Sequence, residues 1–278
     1  MTVHHGVNYG PRLVATPTGR LRAAVLVRPS PAIERGAPLI GEPGAIYERA
    51  CEQHEVLRKT LESFGVETTV VESHTADPYE AAAADAAVVF EDGAALMRLT
   101  PLSRRAEVDR METEFARMDV PLAGHIAAPA LLDGSDVLIA GKTAFLGIGT
   151  RGNQLGRDGF ARLANAHGYR VVEVELAPGV TSLRSVAGAV SSDTIVAAKG
   201  KIDPGAFAGF RTILLELGEG QAAGVLPLDE RHVIAEIRFR TALASMRRAG
   251  VTVEALDLYE FTKLGLSPSM LTLALRRE

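Results

Sequence analysis

The sequence predicts an α/β fold in which a strand–strand–helix–strand unit is repeated about five times. Short apolar runs rich in valine and alanine alternate with longer segments of helical periodicity, and each helical segment is followed by one strand and then by a strand pair. The unit recurs about every 45 to 60 residues without obvious sequence identity between copies. A doubly wound sheet has one strand for each helix, so the pattern favours a propeller or an array.

The individual elements follow from apolar periodicity and from the residues that begin and end them. Ser103 is predicted to cap a helix, and Gly65, Gly168 and Gly250 are predicted to end helices. Asp92-Gly93 is typical of a tight hairpin. In chain order the predicted elements are strand 21–28, helix 46–64, strands 66–71, 86–90 and 94–99, helix 103–118, strands 137–140 and 143–146, helix 153–167, strands 169–176, 186–190 and 194–198, a helical turn at 203–204, strands 212–217, 224–228 and 233–237, helix 241–249, and strands 251–256 and 270–275.

The length and composition of the chain favour one globular unit. Its 278 residues are enough to bury a full core, and a chain that is 47% hydrophobic and 23% charged has an ordinary soluble composition. No linker or low-complexity segment divides the sequence. We therefore predict a single domain over residues 1–278, in which residues 1–20 form a loosely ordered N-terminal segment.

The charge and the cysteine content narrow the expected partners and location. The net charge is −4 and the pI is near 6.0, so we expect neither nucleic acid nor an anionic membrane as a partner. No apolar run reaches the length of a membrane span, and no secretory signal is visible. Cys51 is the single cysteine, which fits a reducing cytoplasm. No metal-ligand spacing is visible, so no metal is expected.

A glycine-rich stretch in the middle of the chain allows a dinucleotide interpretation. The G-x-G-x-x-G pattern at 147–152 follows a strand and opens a helix, and Glu173 and Glu175 lie where a ribose-binding acid is expected. Against this, the strand is the second arm of a hairpin, later strand pairs do not continue a parallel alternation, and Arg151 stands beside the supposed pyrophosphate. A glycine turn that serves only chain geometry is another interpretation. We expect no cofactor.

Several motifs occur in the order of one protein family. They are 25–33 (VLVRPSPAI), 85–89 (DAAVV), Arg98 with 103–107 (SRRAE), 132–138 (LDGSDVL), 147–153 (GIGTRGN), Arg240-Thr241 and 257–261 (DLYEF). On these motifs the sequence, from about Leu21 onward, resembles the dimethylarginine dimethylaminohydrolases of the guanidino-group-modifying (amidinotransferase, or pentein) superfamily. The resemblance implies a pentein fold, which is a five-bladed α/β propeller of ββαβ units with pseudo-fivefold symmetry.

The resemblance also implies a catalytic chemistry, but two residues that the family uses for it are different in this sequence. In the family a cysteine attacks the guanidinium carbon, a histidine moves protons and a carboxylate orients them. The histidine falls in a Leu-His-Leu-Lys-Ser motif that corresponds to 181–185 (TSLRS), so Ser182 stands at its position. The cysteine falls in a Gly-Gly-x-x-Cys-Leu-Ser/Thr-Leu motif that corresponds to 266–273 (LSPSMLTL), so Met270 stands at its position. Cys51 is far away in sequence and is expected to pack in the core.

The residues that the resemblance assigns to substrate binding match the family motifs more completely than the residues assigned to the chemistry. Asp133 matches the orienting carboxylate, and Arg98 and Arg151 match positions that hold the amino-acid carboxylate. Asp85 matches the acid that receives the substrate guanidinium, although the family's preceding glutamate is Ala84 here. Structural roles are the alternatives, with Asp133 as a turn cap and the two arginines as surface residues.

The leading hypothesis is a dimethylargininase-like protein that binds a small amino-acid or guanidino ligand in the propeller cavity without the cysteine-dependent hydrolysis of methylarginine to citrulline. One alternative is an active C–N hydrolase or lyase that uses non-cysteine chemistry through Asp133, Asp85 and either Ser182 or Ser269. Another is a non-catalytic partner of a competent paralogue. The sequence leaves open whether the chain is an enzyme, and it is compatible with a homo-oligomer or with a hetero-oligomer containing a paralogue.

Overall fold

The computed structural model describes residues 12–41 and 43–278, which form 15 strands and six α-helices. The strands are β1 (Leu21–Val27), β2 (Glu67–Val71), β3 (Ala87–Val89), β4 (Ala94–Leu96), β5 (Leu122–His125), β6 (Val137–Ala140), β7 (Thr143–Ile148), β8 (Arg170–Glu175), β9 (Ala187–Ser191), β10 (Thr194–Ala198), β11 (Arg211–Leu215), β12 (Leu226–Asp229), β13 (His232–Glu236), β14 (Thr252–Leu256) and β15 (Thr272–Arg277). The helices are α1 (Tyr47–Ser63), α2 (Ala106–Arg117), α3 (Gln154–Ala166), α4 (Arg240–Arg248), α5 (Tyr259–Thr262) and α6 (Pro268–Leu271). None of these described helices is long and apolar enough to cross a membrane.

The strands form five sheets of three strands each. The sheets have the orders β15-β1-β2, β3-β4-β5, β6-β7-β8, β9-β10-β11 and β12-β13-β14. In every sheet the first two strands are antiparallel and the last two are parallel. A parallel neighbour requires a crossover, which α1, α2, α3 and α4 provide in four sheets and the 3-10 turn Pro204–Phe207 provides in the other. The predicted fivefold repeat of strand–strand–helix–strand units is confirmed.

The five sheets are arranged as blades around a common centre. The first strands of the blades are β15, β3, β6, β9 and β12, and residues from all five line one central cavity. Contacts between the blades run from β15 to β3, from β6 to β9 and from β9 to β12, and β1 contacts β12 to close the ring. Because β15 pairs with β1, the last strand of the chain completes the first blade. The centre of the propeller is therefore formed by the first strand of each blade.

The helices of the blades end and pack as the sequence pattern predicts. Gly65, Gly168 and Gly250 follow α1, α3 and α4 with φ values of 78°, 78° and 85°, a left-handed conformation that suits glycine. The predicted helix ends are therefore confirmed. The buried positions of α1 recur every three or four residues and so lie on one face, toward the sheet; they are Ala50, Gln53, His54, Leu57 and Leu61.

Two strands differ from the sequence-based prediction. The sequence does not predict β5, because four residues that include Gly124 have little β propensity, and the strand is held by parallel pairing with β4. The apolar run 270–275 predicts one strand, but the chain is helical up to Leu271 and β15 begins at Thr272. Pro268 occupies the first turn of that helix, where its fixed φ is favourable.

The predicted helix cap at Ser103 is wrong. Helix α2 begins at Ala106, after the 3-10 turn Leu102–Arg104, and it has no side-chain cap. The Ser103 hydroxyl instead donates a hydrogen bond to Oδ2 of Asp77 at 2.9 Å. A polar partner elsewhere in the fold has therefore replaced the local cap that the sequence pattern favours.

Part of the segment expected to be loosely ordered is packed against the blades. Leu13, Val14 and Thr18 are buried, and Val14 forms a parallel bridge with Arg277 of β15. Leu13 and Val14 extend the core between the first two blades, which explains why residues 12–20 pack against them. Residues 1–11 of that segment lie outside the described residues.

A close approach of two turns positions the site. Gly134 lies so near the 3-10 turn Ala83–Asp85 that a Cβ atom on it would meet the Ala84 carbonyl oxygen at 2.0 Å. Glycine is therefore required sterically at this point, whatever the local backbone conformation. The contact brings the turn before β6 against the turn before β3, and both turns carry candidate site residues.

We expect Gly134→Ala to lower the free energy of unfolding by about 1–3 kcal/mol or more, because the added methyl group forces the two turns apart. Gly159→Ala is the matched control, since Gly159 lies within α3 and an added Cβ there has its nearest neighbour at 3.5 Å. That change should be neutral or stabilising, as alanine favours helix. Urea denaturation measures both, and equal stability of the two variants would contradict the close approach.

Candidate functional site

The carboxylate of Asp85 is at the centre of the candidate site. Asp85 ends the 3-10 turn Ala83–Asp85, directly before β3, and is fully buried. Its Oδ2 atom accepts hydrogen bonds from Nη1 of Arg104 at 2.6 Å and from Nη1 of Arg151 at 3.4 Å. Its Oδ1 atom accepts one from the Ser135 amide at 3.1 Å. Burial opposes ionisation, but the guanidinium groups of Arg104 and Arg151 outweigh it and hold the pKa of Asp85 below its ordinary value.

Arg104 is a buried charge to which the sequence analysis assigns no role. Only 1% of the residue is exposed. Its Nε and Nη2 atoms donate to the two carboxylate oxygens of Glu107 at 2.8 and 2.7 Å, while Nη1 donates to Asp85. The i, i+3 spacing of Arg104 and Glu107 was the sequence pattern that could have predicted their ion pair. The acid that the resemblance assigns to a substrate guanidinium is thus already paired with a guanidinium of the chain.

Asp133 lies next to this ion pair. Its Oδ1 atom accepts a hydrogen bond from the Thr100 amide at 2.7 Å. Its Oδ2 atom lies 3.9 Å from Nη1 of Arg151 and has no hydrogen-bond partner among the described residues. Burial and then the charge of Asp85 raise the pKa of Asp133 to about 6. Asp133 and Asp85 therefore share Arg151 as a neighbouring cation.

Asp136 is a second acid that the sequence analysis did not single out. Its Oδ1 atom accepts a hydrogen bond from the Leu183 amide at 2.8 Å, whereas its Oδ2 atom and the Ser135 hydroxyl have no partner within the described part of the chain. Burial raises the pKa of Asp136 to about 7. The motif at 132–138 could have identified Asp136, because its two acids stand at the two ends of one 3-10 turn.

Ser182 and Met270 lie against each other. The Ser182 hydroxyl is 3.6 Å from Sδ of Met270, and both residues are 0% exposed. Ser182 directly precedes the 3-10 turn Leu183–Ser185, and Met270 belongs to α6. Because the amide of Leu183 is bound to Asp136, the turn that begins with Asp133 is held beside this pair. The two positions that the resemblance assigns to the histidine and the cysteine are thus adjacent and buried.

Arg151 connects the acids to the rim of the site. Its carbonyl oxygen accepts a hydrogen bond from the Asp133 amide at 3.0 Å, and its guanidinium lies 5.6 Å from the centre of the Tyr79 ring. Its side chain is 15% exposed, whereas those of Asp85 and Asp133 are fully buried. Arg151 is therefore the member of this group that reaches the surface.

Arg98 is not brought to this group. Its carbonyl oxygen accepts a hydrogen bond from the Leu132 amide at 3.0 Å, but no hydrogen bond or ion pair between described residues links its side chain to the acids. The residue lines an outer cavity beside α2, together with Arg105 and His125. The structure thus brings together Asp85, Asp133 and Arg151, and pairs Ser182 with Met270, while Arg98 faces elsewhere.

The glycine loop has a packing role. A Cβ atom at Gly147 would lie 2.7 Å from Oδ1 of Asp136, and one at Gly152 would lie 3.1 Å from the carbonyl oxygen of Leu131. Strand β7, which leads into the loop, is the second arm of an antiparallel hairpin with β6. The glycines therefore allow the loop to pack closely against the turn of Asp136 and against Leu131.

Cys51 belongs to a different part of the fold. It lies half-buried on α1, where it lines an outer cavity with Arg28 and His54. Residues 12–41 and 43–278 contain no cluster of three or more histidine, cysteine, aspartate or glutamate side chains that could hold a metal ion. The candidate site is therefore described by its acids, its arginines and the Ser182–Met270 pair.

Comparison with known proteins identifies the family. No protein-family model matches the chain. The N(G),N(G)-dimethylarginine dimethylaminohydrolase of Streptomyces coelicolor is 31% identical over 259 residues, which cover 92% of this chain and 97% of that protein. The chain belongs to the dimethylarginine dimethylaminohydrolase family. The protein of the same name from Pseudomonas aeruginosa is 24% identical over 234 residues, or 84% of this chain and 91% of that protein.

Solved structures of dimethylarginine dimethylaminohydrolases have the same fold as this chain. A cysteine-to-serine variant of the Pseudomonas aeruginosa protein, complexed with citrulline, superposes with a TM-score of 0.82 at 21% identity and covers 91% of this chain and 99% of that chain. At this identity the likeness shows the fold alone. The family and the five-bladed α/β fold that the sequence motifs imply are both confirmed.

We expect Asp136→Asn to stabilise this family member more at pH 8 than at pH 5. The pKa of the carboxyl group is about 7 when folded and about 3.9 in an unfolded chain, so the folded state binds the proton more tightly. The stability that this protonation contributes is present at low pH and is lost as the pH rises through about 7. The asparagine variant avoids that loss, and each kcal/mol should raise Tm by about 2–4 °C.

Thermal denaturation at the two pH values measures the effect of Asp136→Asn. The exposed Asp158, changed in the same way, is the control and should give the same small effect at both pH values. An Asp136→Asn effect that does not change with pH would contradict the assignment of a protonated, buried carboxyl group.

We expect Arg104→Met to lower the free energy of unfolding by about 3–5 kcal/mol, because Asp85 and Glu107 would lose a buried counter-charge. Arg117→Met is the matched control, since Arg117 is 65% exposed and its ion pair with Glu114 should contribute less than about 1 kcal/mol. Urea denaturation compares the two variants. A similar loss of stability in both would contradict a structural role for the Arg104 ion pair.

Proposed function

We propose that this member of the dimethylarginine dimethylaminohydrolase family binds a small cationic amino-acid or guanidino ligand and does not carry out cysteine-dependent hydrolysis. The contact between Ser182 and Met270 carries the second part of the proposal. These residues stand where the resemblance places the base and the nucleophile. A thioether has no proton to lose and cannot become a thiolate, and a serine hydroxyl cannot act as the base in place of an imidazole near pH 7.

The buried acids support the binding part of the proposal. One oxygen of Asp133 and one of Asp136 lack a hydrogen-bond partner among the described residues, as does the Ser135 hydroxyl. A buried polar atom without a partner costs about 1–3 kcal/mol, and more when it is charged. A guanidinium or ammonium group carries several N–H donors and a positive charge. A ligand of this class would satisfy these oxygens and compensate the charge of the acids.

Arg151 is the residue that we expect to move when the ligand enters. It lies 3.4 Å from Oδ2 of Asp85 and 3.9 Å from Oδ2 of Asp133, both longer than the 2.6 Å bond from Arg104 to Asp85. The cation of a ligand would replace Arg151 beside the acids. The released guanidinium, already at the rim near Tyr79, would then be free to bind a ligand carboxylate in a bidentate manner.

The closed site also favours a second candidate, a non-catalytic partner of a competent paralogue. Ser182 and Met270 are fully buried, and Asp85 is paired with Arg104. In this candidate the chain would be retained for its interface with the paralogue. Failure of every amino-acid and guanidino compound to bind, together with co-purification with a competent family member from the native host, would favour this candidate.

We expect calorimetry to detect binding of at least one compound among arginine, the methylarginines, citrulline and ornithine, with higher affinity for cationic compounds at pH 8 than at pH 5.5. Asp133 and Asp136, with pKa values of about 6 and 7, are largely protonated at the lower pH and lose their attraction for a cation. Asp133→Asn should weaken binding roughly tenfold or more, and Asp158→Asn, on the exposed surface, should not.

Mass spectrometry of the same mixtures tests the catalytic part of the proposal. The methylarginines should remain unconverted, whereas a cysteine-containing family member should form citrulline under the same conditions. Binding without conversion supports the proposal as a whole. Conversion by this chain would favour the alternative of non-cysteine C–N chemistry, and the absence of binding would contradict the ligand claim.

A further inference from the structure

The central cavity of the propeller is distinct from the buried acids. It has a volume of about 110 Å³ and is lined by the first strands of the five blades. That is several times the roughly 10–15 Å³ that one water molecule needs on the same measure. Apart from two arginines, its walls are mostly aliphatic, and they contain no aspartate or glutamate among the described residues.

The two arginines in the wall are Arg184 and Arg277. Arg184 follows Ser182 in the 3-10 turn and donates to the carbonyl oxygen of Ser269. Arg277, in β15, is 3% exposed and donates to the carbonyl oxygens of Gly19 and Pro227, each at 2.8 Å. Carbonyl oxygens satisfy the N–H groups of a guanidinium but do not neutralise its charge.

No described carboxylate lies within 4.0 Å of either guanidinium. Other buried cations of the molecule, Arg104 and Lys263, do have a carboxylate within that distance. Burial lowers the pKa of Arg184 to about 10 and that of Arg277 to about 9, and in Arg277 the charge of Arg184 adds to the effect. Both groups therefore remain cationic at neutral pH. Asp85 acts on Arg184, and Asp229 acts on Arg277, only from a distance.

The remaining surface of Arg184 faces the cavity. The residue is half-buried, and it lines the cavity. Ala84 lines the same cavity, at a position where the resemblance places a glutamate. At this cavity the chain therefore has a positive charge without a carboxylate within ion-pair distance, and an alanine where the resemblance places an acid.

We propose that the central cavity binds a small anion, an inorganic anion or a short carboxylate, between Arg184 and Arg277. A guanidinium without a nearby counter-charge is unfavourable where it is removed from water, as that of Arg277 is, and a bound anion removes that penalty. Guanidinium forks also match the geometry of carboxylate and phosphate oxygens. The site differs from the proposed ligand site in the sign of the charge that it takes, so the two can be tested separately.

Thermal denaturation in a zwitterionic buffer tests the anion site, with chloride, inorganic phosphate and acetate titrated singly. A bulky sulfonate that is too large for the cavity keeps the ionic strength constant. At least one of the three anions should raise Tm saturably, by about 5 °C or more at high occupancy. A response to acetate alone identifies a carboxylate ligand, and a response to chloride or phosphate identifies an inorganic one. A flat titration with all three overturns the proposal.

Two variants separate specific binding from a general salt effect. Arg184→Met removes one guanidinium and should abolish the saturable rise, whereas Arg170→Met, on the exposed surface of β8, should retain it. Ala84→Glu places a carboxylate in the cavity wall and should make the Tm independent of added anion. An unchanged saturable response in Arg184→Met would overturn the proposal.

The wild-type protein provides a measurement that does not depend on the folding of any variant. Crystals soaked in bromide should show an anomalous peak between the guanidinium groups of Arg184 and Arg277. Bromide found only on the outer surface would contradict an anion site in the cavity, even if the titration with other salts raised Tm.

Discussion

The buried ion pair between Asp85 and Arg104 is the interaction on which the arrangement of the site depends. Asp85 belongs to the second blade, yet it also accepts hydrogen bonds from Ser135 and Arg151 of the third. A carboxylate fully removed from water needs these donors, because the loss of a cation would leave its charge in a low-dielectric interior. Arg104, itself buried and also bound to Glu107, is the closer partner at 2.6 Å, and the partly exposed Arg151 lies farther away at 3.4 Å.

Two groups of side chains with opposite charge lack complete partners among the described residues. Asp133 and Asp136 each have a carboxylate oxygen without a hydrogen-bond partner, while Arg184 and Arg277 line the central cavity without a carboxylate in ion-pair distance. The two regions influence each other, since the charge of Asp85 raises the pKa of Arg184. Under the two proposals, a ligand cation that lies closer to Asp85 than Arg151 now does, at 3.4 Å, would cancel more of the field that supports Arg184. It would thereby favour the anion, and thermodynamic linkage makes the effect reciprocal.

The repeat was predictable from the sequence because each helical segment shows strong periodicity and ends at a glycine. Strand β5 was not, because a short strand with a glycine depends on its neighbour for its conformation. The grouping of Asp85, Asp133 and Arg151 agrees with the family motifs. Arg104 was missed because the run 103–107 is polar and looks solvated, and burial of its charge becomes evident only when Asp85 is brought from another turn.

Under the proposed function, Ser182 and Met270 stand at the positions of the base and the nucleophile, and their contact explains why one substitution alone would not provide the cysteine chemistry. A cysteine at position 270 would be a buried thiol without an adjacent imidazole, and burial in apolar surroundings raises a thiol pKa and leaves it inert. A histidine at position 182 would need the space that the Met270 side chain fills, since both residues are 0% exposed. Either substitution by itself therefore costs packing without gaining an activated nucleophile. The pair behaves as one packing unit, and a return to cysteine chemistry would require both residues to change together.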